Sequence, residues 1–181
     1  MDANIVVREA TLEDRREIWE WWNDPVTRRM MKKNDVVPWE EHCAWFDGVL
    51  KDPGRILCVG FVDGEKAGNV RFDFQGEGVY EVSVNMNPQL RGRGYGPLLV
   101  GASIAYLNTV RPVTTLIAMM KKINPRSRKT FERNGFVVKE PTRDYPRMVG
   151  RFSPEEEWYS ELIYGGKSDA GAFRAAASHA P

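Results

Sequence analysis

The sequence predicts one α/β domain on a mixed, mostly antiparallel sheet, with elements in the order β-α-α-β-β-β-α-β-α-β-β. Three observations predict it. Two helix-period segments open the chain, three β-rich runs separated by turn signals follow with no helix between them, and strands then alternate with helices. Hairpin strands imply antiparallel pairing and a strand–helix–strand unit implies a parallel crossover, so the sheet is not doubly wound. The 181 residues suffice for one buried core and are too few for two ordinary domains.

Asn4–Val7 reads as the first strand. Thr11, with Asp14 three residues on, is a variant capping box opening a helix to about Asn23, where Pro25 bars easy continuation. Pro38 suits the first turn of a second helix, in which Trp39, Cys43, Phe46 and Leu50 recur at helical spacing; Asp52-Pro53-Gly54 ends it. Ile56–Val62 and Ala67–Phe74 form a hairpin about Asp63-Gly64, and Gln75–Gly78 turns the chain into the strand Val79–Met86. A largely apolar helix runs from Pro97 to about Val110, and Thr114–Met119 is the next strand. Pro125–Asn134 is a helix that Gly135 caps, and Phe136–Val138 and Trp158–Tyr164 are the last two strands. Residues 1–164 thus form one domain. Residues 165–181, rich in Ala, Gly and Ser, are expected to be disordered.

Composition excludes several classes of function. With 42% hydrophobic and 28% charged residues the chain has a globular make-up. A net charge of +1 lacks the basic excess of a nucleic-acid or membrane-surface binder, so neither partner is expected. No apolar run approaches the ~18–20 residues of a membrane span, and the N-terminus is too charged for a signal peptide. Cytoplasmic location is the expectation. Cys43 and Cys58 have no C-x-x-C or His-rich setting, so they read as buried small residues of a reducing compartment, with no metal site expected.

Chemistry concentrates in Val82–Leu99, where a strand enters a loop with Gly92, Gly94 and Gly96 at alternate positions and the loop enters a helix. Glycines let successive N–H groups converge, the helix N-terminus adds its positive end, and Arg91 and Arg93 add mobile charge. Such a loop suits a diphosphate, although a plain structural turn has the same composition. A P-loop needs Lys-Ser/Thr where Tyr95-Gly96-Pro97 stands, and a dinucleotide fingerprint needs G-x-G-x-x-G after the first strand of a βαβ unit.

The segment Q-L-R-G-R-G-Y-G resembles the Q/R-x-x-G-x-G/A signature of the GNAT superfamily of acetyl-CoA-dependent N-acetyltransferases, through Gln89, Gly92 and Gly94. A second block, Ile123 to Phe136, is similar to that family's N-x-x-S-x-x-x-Y/F-E-x-x-G-F through Asn124, Ser127, Phe131 and Gly135-Phe136. The resemblance spans roughly residues 4–164. It implies acetyl-CoA as co-substrate, lying in a wedge where the strand before the loop splays from its neighbour. The pantetheine arm would then pair with the backbone from Val84 to Met86, as an added strand does. The N–H near Val84 would polarise the thioester carbonyl, and Asn124 and Ser127 would touch the arm from the other side. Gln89, Arg91, Gly92, Arg93, Gly94, Tyr95 and Gly96 make up the implied cofactor loop.

Acetyl transfer to an amine needs a base, a polarised carbonyl and an acid for the departing thiolate. The resemblance implies a Glu on the strand before the loop. Glu81 fits by location, and a solvated strand carboxylate is the plain alternative. Ser83 shares its face by period-two alternation and could hold a water or a substrate hydroxyl. The family's usual Tyr falls at Phe131, which cannot donate a proton, leaving Tyr95, Tyr106 or solvent.

For the acceptor, Asn23-Asp24-Pro25…Met31 and His42 look like the aminosugar N-acetyltransferases of the pseudaminic acid pathway, with Trp22 replacing an Arg of that branch. Carried over, Met31 and His42 line a site for the 4-amino group of a UDP-linked sugar. A hydrogen-bonded histidine on the rim of a helix–sheet core is the alternative for His42. Arg28-Arg29 and Lys32-Lys33 could face the acceptor's diphosphate or simply solvent. A protein N-terminus, as in ribosomal-protein acetyltransferases, is the second acceptor, and a non-catalytic acetyl-CoA-binding module a third reading. The sequence is compatible with a monomer or a homodimer.

Overall fold

The computed structural model describes residues 4–31, 34–121, 123–139 and 158–165. Seven strands form one sheet, β1 (Ile5–Glu9), β2 (Arg55–Val62), β3 (Glu65–Gly76), β4 (Val79–Met86), β5 (Thr115–Lys121), β6 (Val137–Lys139) and β7 (Trp158–Gly165). Their spatial order is β1-β2-β3-β4-β5-β7-β6. Every neighbouring pair is antiparallel except β4–β5, which is parallel. The mixed sheet expected from the hairpins and the single crossover is therefore present. Both tight hairpin turns place two consecutive residues in the left-handed region, Asp63-Gly64 (φ 51° and 82°) and Glu77-Gly78 (φ 52° and 76°). Such turns match the twist of antiparallel strands.

Helices cover both faces. Helix α4 (Tyr95–Val110), which makes the crossover, and α5 (Pro125–Glu132) pack on one, with Leu99, Ile104, Leu107 and Phe131 against Val70, Phe72, Val82 and Leu116. Helices α1 (Arg15–Asn23) and α3 (Trp39–Lys51) pack on the other, with Ile18, Trp21, Phe46 and Val49 against Leu57 and Val59. The parity of each strand sends even residues of β4 to the α4 side and odd ones to the α1–α3 side.

Three details depart from expectation. The first helix begins as a 3-10 turn over Leu12–Asp14, and α1 proper starts at Arg15. An extra short helix, α2 (Pro25–Met30), follows at once, because Pro25 starts a new helix as well as ending the old one. Asp24 between them caps α2, accepting from the Val26 and Thr27 amides at 3.1 and 2.9 Å. Helix α4 starts two residues before Pro97, which a first turn tolerates because its N–H groups have no partner in the helix. The expected disordered tail lies outside the described residues beyond Gly165. No helix among the described residues is long and apolar enough to cross a membrane.

Candidate functional site

Between β4 and β5 the sheet opens. Their pairing runs from Val79↔Thr115 to Val82↔Ala118 and stops, although β4 continues to Met86 and β5 to Lys121. The orientation of the exposed β4 backbone follows from its other neighbour. Asn87 N–H donates to Ala67 O at 2.9 Å, and the register continues unbroken through Asn85↔Asn69 and Ser83↔Arg71. Antiparallel pairs alternate, so odd residues turn their N–H and C=O groups towards β3 and even residues away from it. Beyond Val82, the amides of Val84 and Met86 therefore point into the opening. An extended ligand arm can pair there as a strand would.

The loop at the end of β4 has a backbone geometry that suits an anion. Gly92 and Gly94 have φ of 79° and 83°, and a Cβ placed on either would meet nothing within 4 Å. Open space above a left-handed backbone is what a phosphate needs and what a side chain would fill. Gly94 caps α4, so the first-turn amides of Tyr95 and Gly96 have no partner within the helix, and the positive end of a 16-residue helix faces the same space. Gly96 has a further reason: a Cβ there would lie 3.1 Å from Thr130 Oγ1, so its absence lets α4 approach α5. Arg93 is exposed.

Arg91 departs from expectation. Its guanidinium is not a mobile charge over the loop but is held by α2, donating to Asp24 Oδ2 at 2.6 Å and to Thr27 Oγ1. Asn124 caps α5, its Oδ1 accepting the Ser127 amide at 3.1 Å, which places both residues at the helix end beside β5. Gly135 (φ 81°) closes α5 with Gly135 N–H to Glu132 O and Phe136 N–H to Phe131 O. Phe131 is 2% exposed and packs edge-on to Phe136 at 5.0 Å. The position of the family's usual Tyr is thus a core position here. Tyr106 donates to Glu9 Oε1 at 2.7 Å, and that bond, with burial, pushes its hydroxyl up to about 12. It lies eleven residues along α4 from Tyr95, roughly 16 Å at helical rise, so it is remote from the loop. Tyr95 packs beside Val62, Ala67 and Leu90.

Glu81 and Ser83 share the α1–α3 side of the sheet, with Arg71 and Asp73 as their register partners on β3. A cleft of about 390 Å³ lies there, walled by Trp45, Arg55, Arg71, Asp73, Phe74 and Glu81, with Asp52 at its edge. Arg71 Nε donates to Asp73 Oδ2 at 2.9 Å and its guanidinium lies 5.5 Å from the Trp45 ring centre. Arg55 reaches Asp52 and Asp73 at 3.2 and 3.4 Å. Arg71, Asp73 and Trp45 as cleft-formers are legible only from the fold, since two elements far apart in sequence, β3 and α3, contribute them.

His42 is not on that cleft. It is 2% exposed, its Nε2–H donates to the Arg15 carbonyl at 3.0 Å, and Trp39, Trp45 and Phe46 surround it. Burial lowers its pKa and outweighs the opposing effect of the bond to the Arg15 carbonyl. Met31 is half-buried at the C-terminal cap of α2. Arg28 is engaged within its own segment, donating to the Asn23 and Asn34 carbonyls at 3.1 and 2.9 Å. Lys32 and Lys33 lie outside the described residues.

No curated protein matches the chain in sequence. Solved structures do match in fold. Aminoglycoside acetyltransferase AAC(6')-Ib in complex with coenzyme A superposes with a TM-score of 0.73 at 16% identity, covering 90% of this chain and 95% of that one. Spermidine N-acetyltransferase from Vibrio cholerae, in complex with coenzyme A and spermine, gives 0.73 at 15% identity with the same coverage. The Campylobacter jejuni N-acetyltransferase PseH gives 0.63 at 17% identity, covering 90% and 99%. The family model described as acetyltransferase (GNAT) domain matches residues 4–137. With the wedge and the glycine cradle in place, the chain belongs to the GNAT acetyltransferase family and is an acyltransferase that takes its acetyl group from acetyl-CoA.

Proposed function

We propose that this enzyme acetylates the primary amine of an amino sugar, the 4-amino group of a UDP-linked sugar being the favoured acceptor. The observation that carries the reading is the pairing of Asp73 with Glu81 across β3 and β4 on the cleft wall. Directly opposed carboxylates repel, at Cβ separations of about 5 Å, unless cations attend them. Arg71 and Arg55 attend Asp73, and the two carboxylates together would attract an acceptor ammonium. The Trp45 ring offers an apolar face to a sugar. The UDP moiety rests on the resemblance alone, through Asn23-Asp24-Pro25, Met31 and His42. In the structure the first two of these residues shape the segment: Asn23 exchanges hydrogen bonds with Val37 N–H and C=O at 2.8 and 3.0 Å, and Asp24 caps α2.

In this reading acetyl-CoA supplies the activated acyl group. Glu81 takes the proton from the incoming ammonium, Ser83 orients a water or an acceptor hydroxyl, and the Val84 amide donates to the carbonyl oxygen as charge gathers on it. Val84 to Met86, the loop 89–96, Asn124 and Ser127 hold the rest of the donor. With Phe131 apolar and Tyr106 bound to Glu9, Tyr95 at the start of α4 or solvent at the mouth of the wedge reprotonates the thiolate.

A thiol-release assay over a panel of acceptors tests the substrate. UDP-4-amino-4,6-dideoxy sugars are expected to be acetylated and ribosomal N-terminal peptides to be inert; the reverse pattern would falsify the sugar reading. A peptide N-terminus is the second reading, favoured by the carboxylate excess of the cleft, where Asp52, Asp73 and Glu81 face Arg55 and Arg71. For the chemistry, Glu81→Gln is expected to lower kcat about 10²-fold at neutral pH with coenzyme A affinity unchanged. An unaltered rate would remove Glu81 from the mechanism.

A further inference from the structure

Helix α2 stands across the mouth of the wedge and is held from both banks. On the β4 bank, Arg91 Nη1 donates to Asp24 Oδ2 at 2.6 Å, Nη2 donates to Thr27 Oγ1, and Nη2 lies 3.4 Å from the Met86 carbonyl. Thr27 Oγ1 in turn lies 3.4 Å from Asn85 Oδ1, and both side chains are buried. On the β5 bank, Lys121 Nζ donates to the Arg29 carbonyl at 2.9 Å. A helix of six residues does not persist by itself, and Thr27 is the buried residue of this one. These bonds are what keep α2 in place.

We propose that Arg91 is a positioning residue that fastens α2 to the diphosphate loop, so that coenzyme A seated in that loop, as the proposed function has it, is felt at α2. Arg91 immediately precedes Gly92, the first left-handed residue of the cradle. An anion gripped by the amides that follow immobilises the backbone carrying Arg91, and with it the guanidinium that bridges Asp24 and Thr27. Two donors in a planar fork fix direction as well as distance, which an ammonium cannot do. Asp24 divides its acceptor capacity between the α2 cap and the strap. Burial pushes its carboxyl up, but the bonds from Arg91 and Thr27 outweigh that and keep it ionised at neutral pH. The linkage is independent of which amine is the acceptor.

The test uses the full chain with coenzyme A as probe, following hydrogen exchange over residues 24–31 by mass spectrometry and affinity by calorimetry. Coenzyme A is expected to slow exchange in α2 of the wild type. Arg91→Met, Arg91→Lys and Asp24→Asn are each expected to abolish that slowing. Asn retains an N-cap acceptor, so the last variant removes the ion pair and spares the helix start. Each is expected to weaken coenzyme A by about tenfold, with the Arg91→Met/Asp24→Asn pair no weaker than either alone, since both cut one connection. The opposite pattern overturns the proposal: Arg91→Met weakens coenzyme A, Arg91→Lys restores it, and Asp24→Asn leaves it unchanged or tighter, with α2 exchange indifferent to the ligand. That pattern would mean Arg91 grips the diphosphate directly. Exchange over β2 and β3 reports the fold in every sample, and Arg91→Lys, the least perturbing change, decides the matter should the Met variant unfold.

Discussion

Gly94→Val is expected to abolish useful coenzyme A binding, raising its dissociation constant about 10²-fold or more, while the protein stays folded. Two effects act together at this position. A β-branched residue at φ 83° is strained by about 1–2 kcal/mol, and its side chain would project into the open space where the cradle admits a phosphate. Neither effect touches the core, because Gly94 is exposed at the start of α4. Gly64 provides an internal control. It has φ 82°, and a Cβ there also meets nothing within 4 Å, but it lies in the β2–β3 hairpin. Gly64→Val should therefore lower the melting temperature much as Gly94→Val does and leave coenzyme A titration intact. Equal binding by the two variants would show that the glycine loop is a turn and nothing more.

Asp14→Ala is expected to give the largest loss of stability among the charged positions. Asp14 is fully buried and joins the start of α1 to the sheet, accepting from Arg8 at 2.7 and 2.9 Å and from the Thr11 amide at 2.8 Å, with Lys66 at 3.0 Å. Lys66 also donates to Glu17. Removing one partner of a buried pair costs about 3–5 kcal/mol. Arg8 and Lys66 remain 39% and 22% exposed and can recover water, so roughly 2–3 kcal/mol is the expectation here. For a chain of this length that corresponds to a melting temperature lower by roughly 5–10 °C.

The effect has a pH signature. Burial pushes the Asp14 carboxyl up, but Arg8, the Thr11 amide and Lys66 outweigh it and hold the group well below its ordinary value of 3.8. A depressed carboxylate contributes stability that is complete above the unfolded value and is lost as pH falls through the folded one. Wild type and Asp14→Ala should thus differ by a constant amount from neutral pH down to about pH 5, and the gap should narrow below 3.8. A gap that stayed constant into acid, followed by melting at several pH values, would assign the loss to packing instead of charge.

Most of the fold is legible because its signals are local. Hairpin turns at Asp63-Gly64 and Glu77-Gly78 demand left-handed residues and contain Gly at the second position. The pattern Gln89-x-x-Gly92-x-Gly94 locates the cradle, since the backbone geometry it needs is available chiefly to glycine. Helix α2 was legible in principle as well. Asp24-Pro25 is an N-cap followed by a first-turn proline, but the same Pro25 also reads as the end of α1.

What was not legible depends on distant residues sharing space. Trp39, His42 and Phe46 recur at helical spacing whether they line a ligand site or a core; only the approach of α1, bringing the Arg15 carbonyl to His42, turns that ring inward. Arg91 stands in a loop rich in positive charge, and its capture by Asp24, 67 residues earlier, follows from α2 crossing the end of β4. Likewise Trp45, Arg71, Asp73 and Glu81 meet at one cleft because α3 packs on β2, beside β3 and β4. The sequence by itself determined the sheet, the crossover and the left-handed glycine loop, since these rest on the conformational limits of neighbouring residues. Tertiary structure decided which face Glu81 presents and which charges are already spent, because side-chain partners are chosen by packing across the sheet.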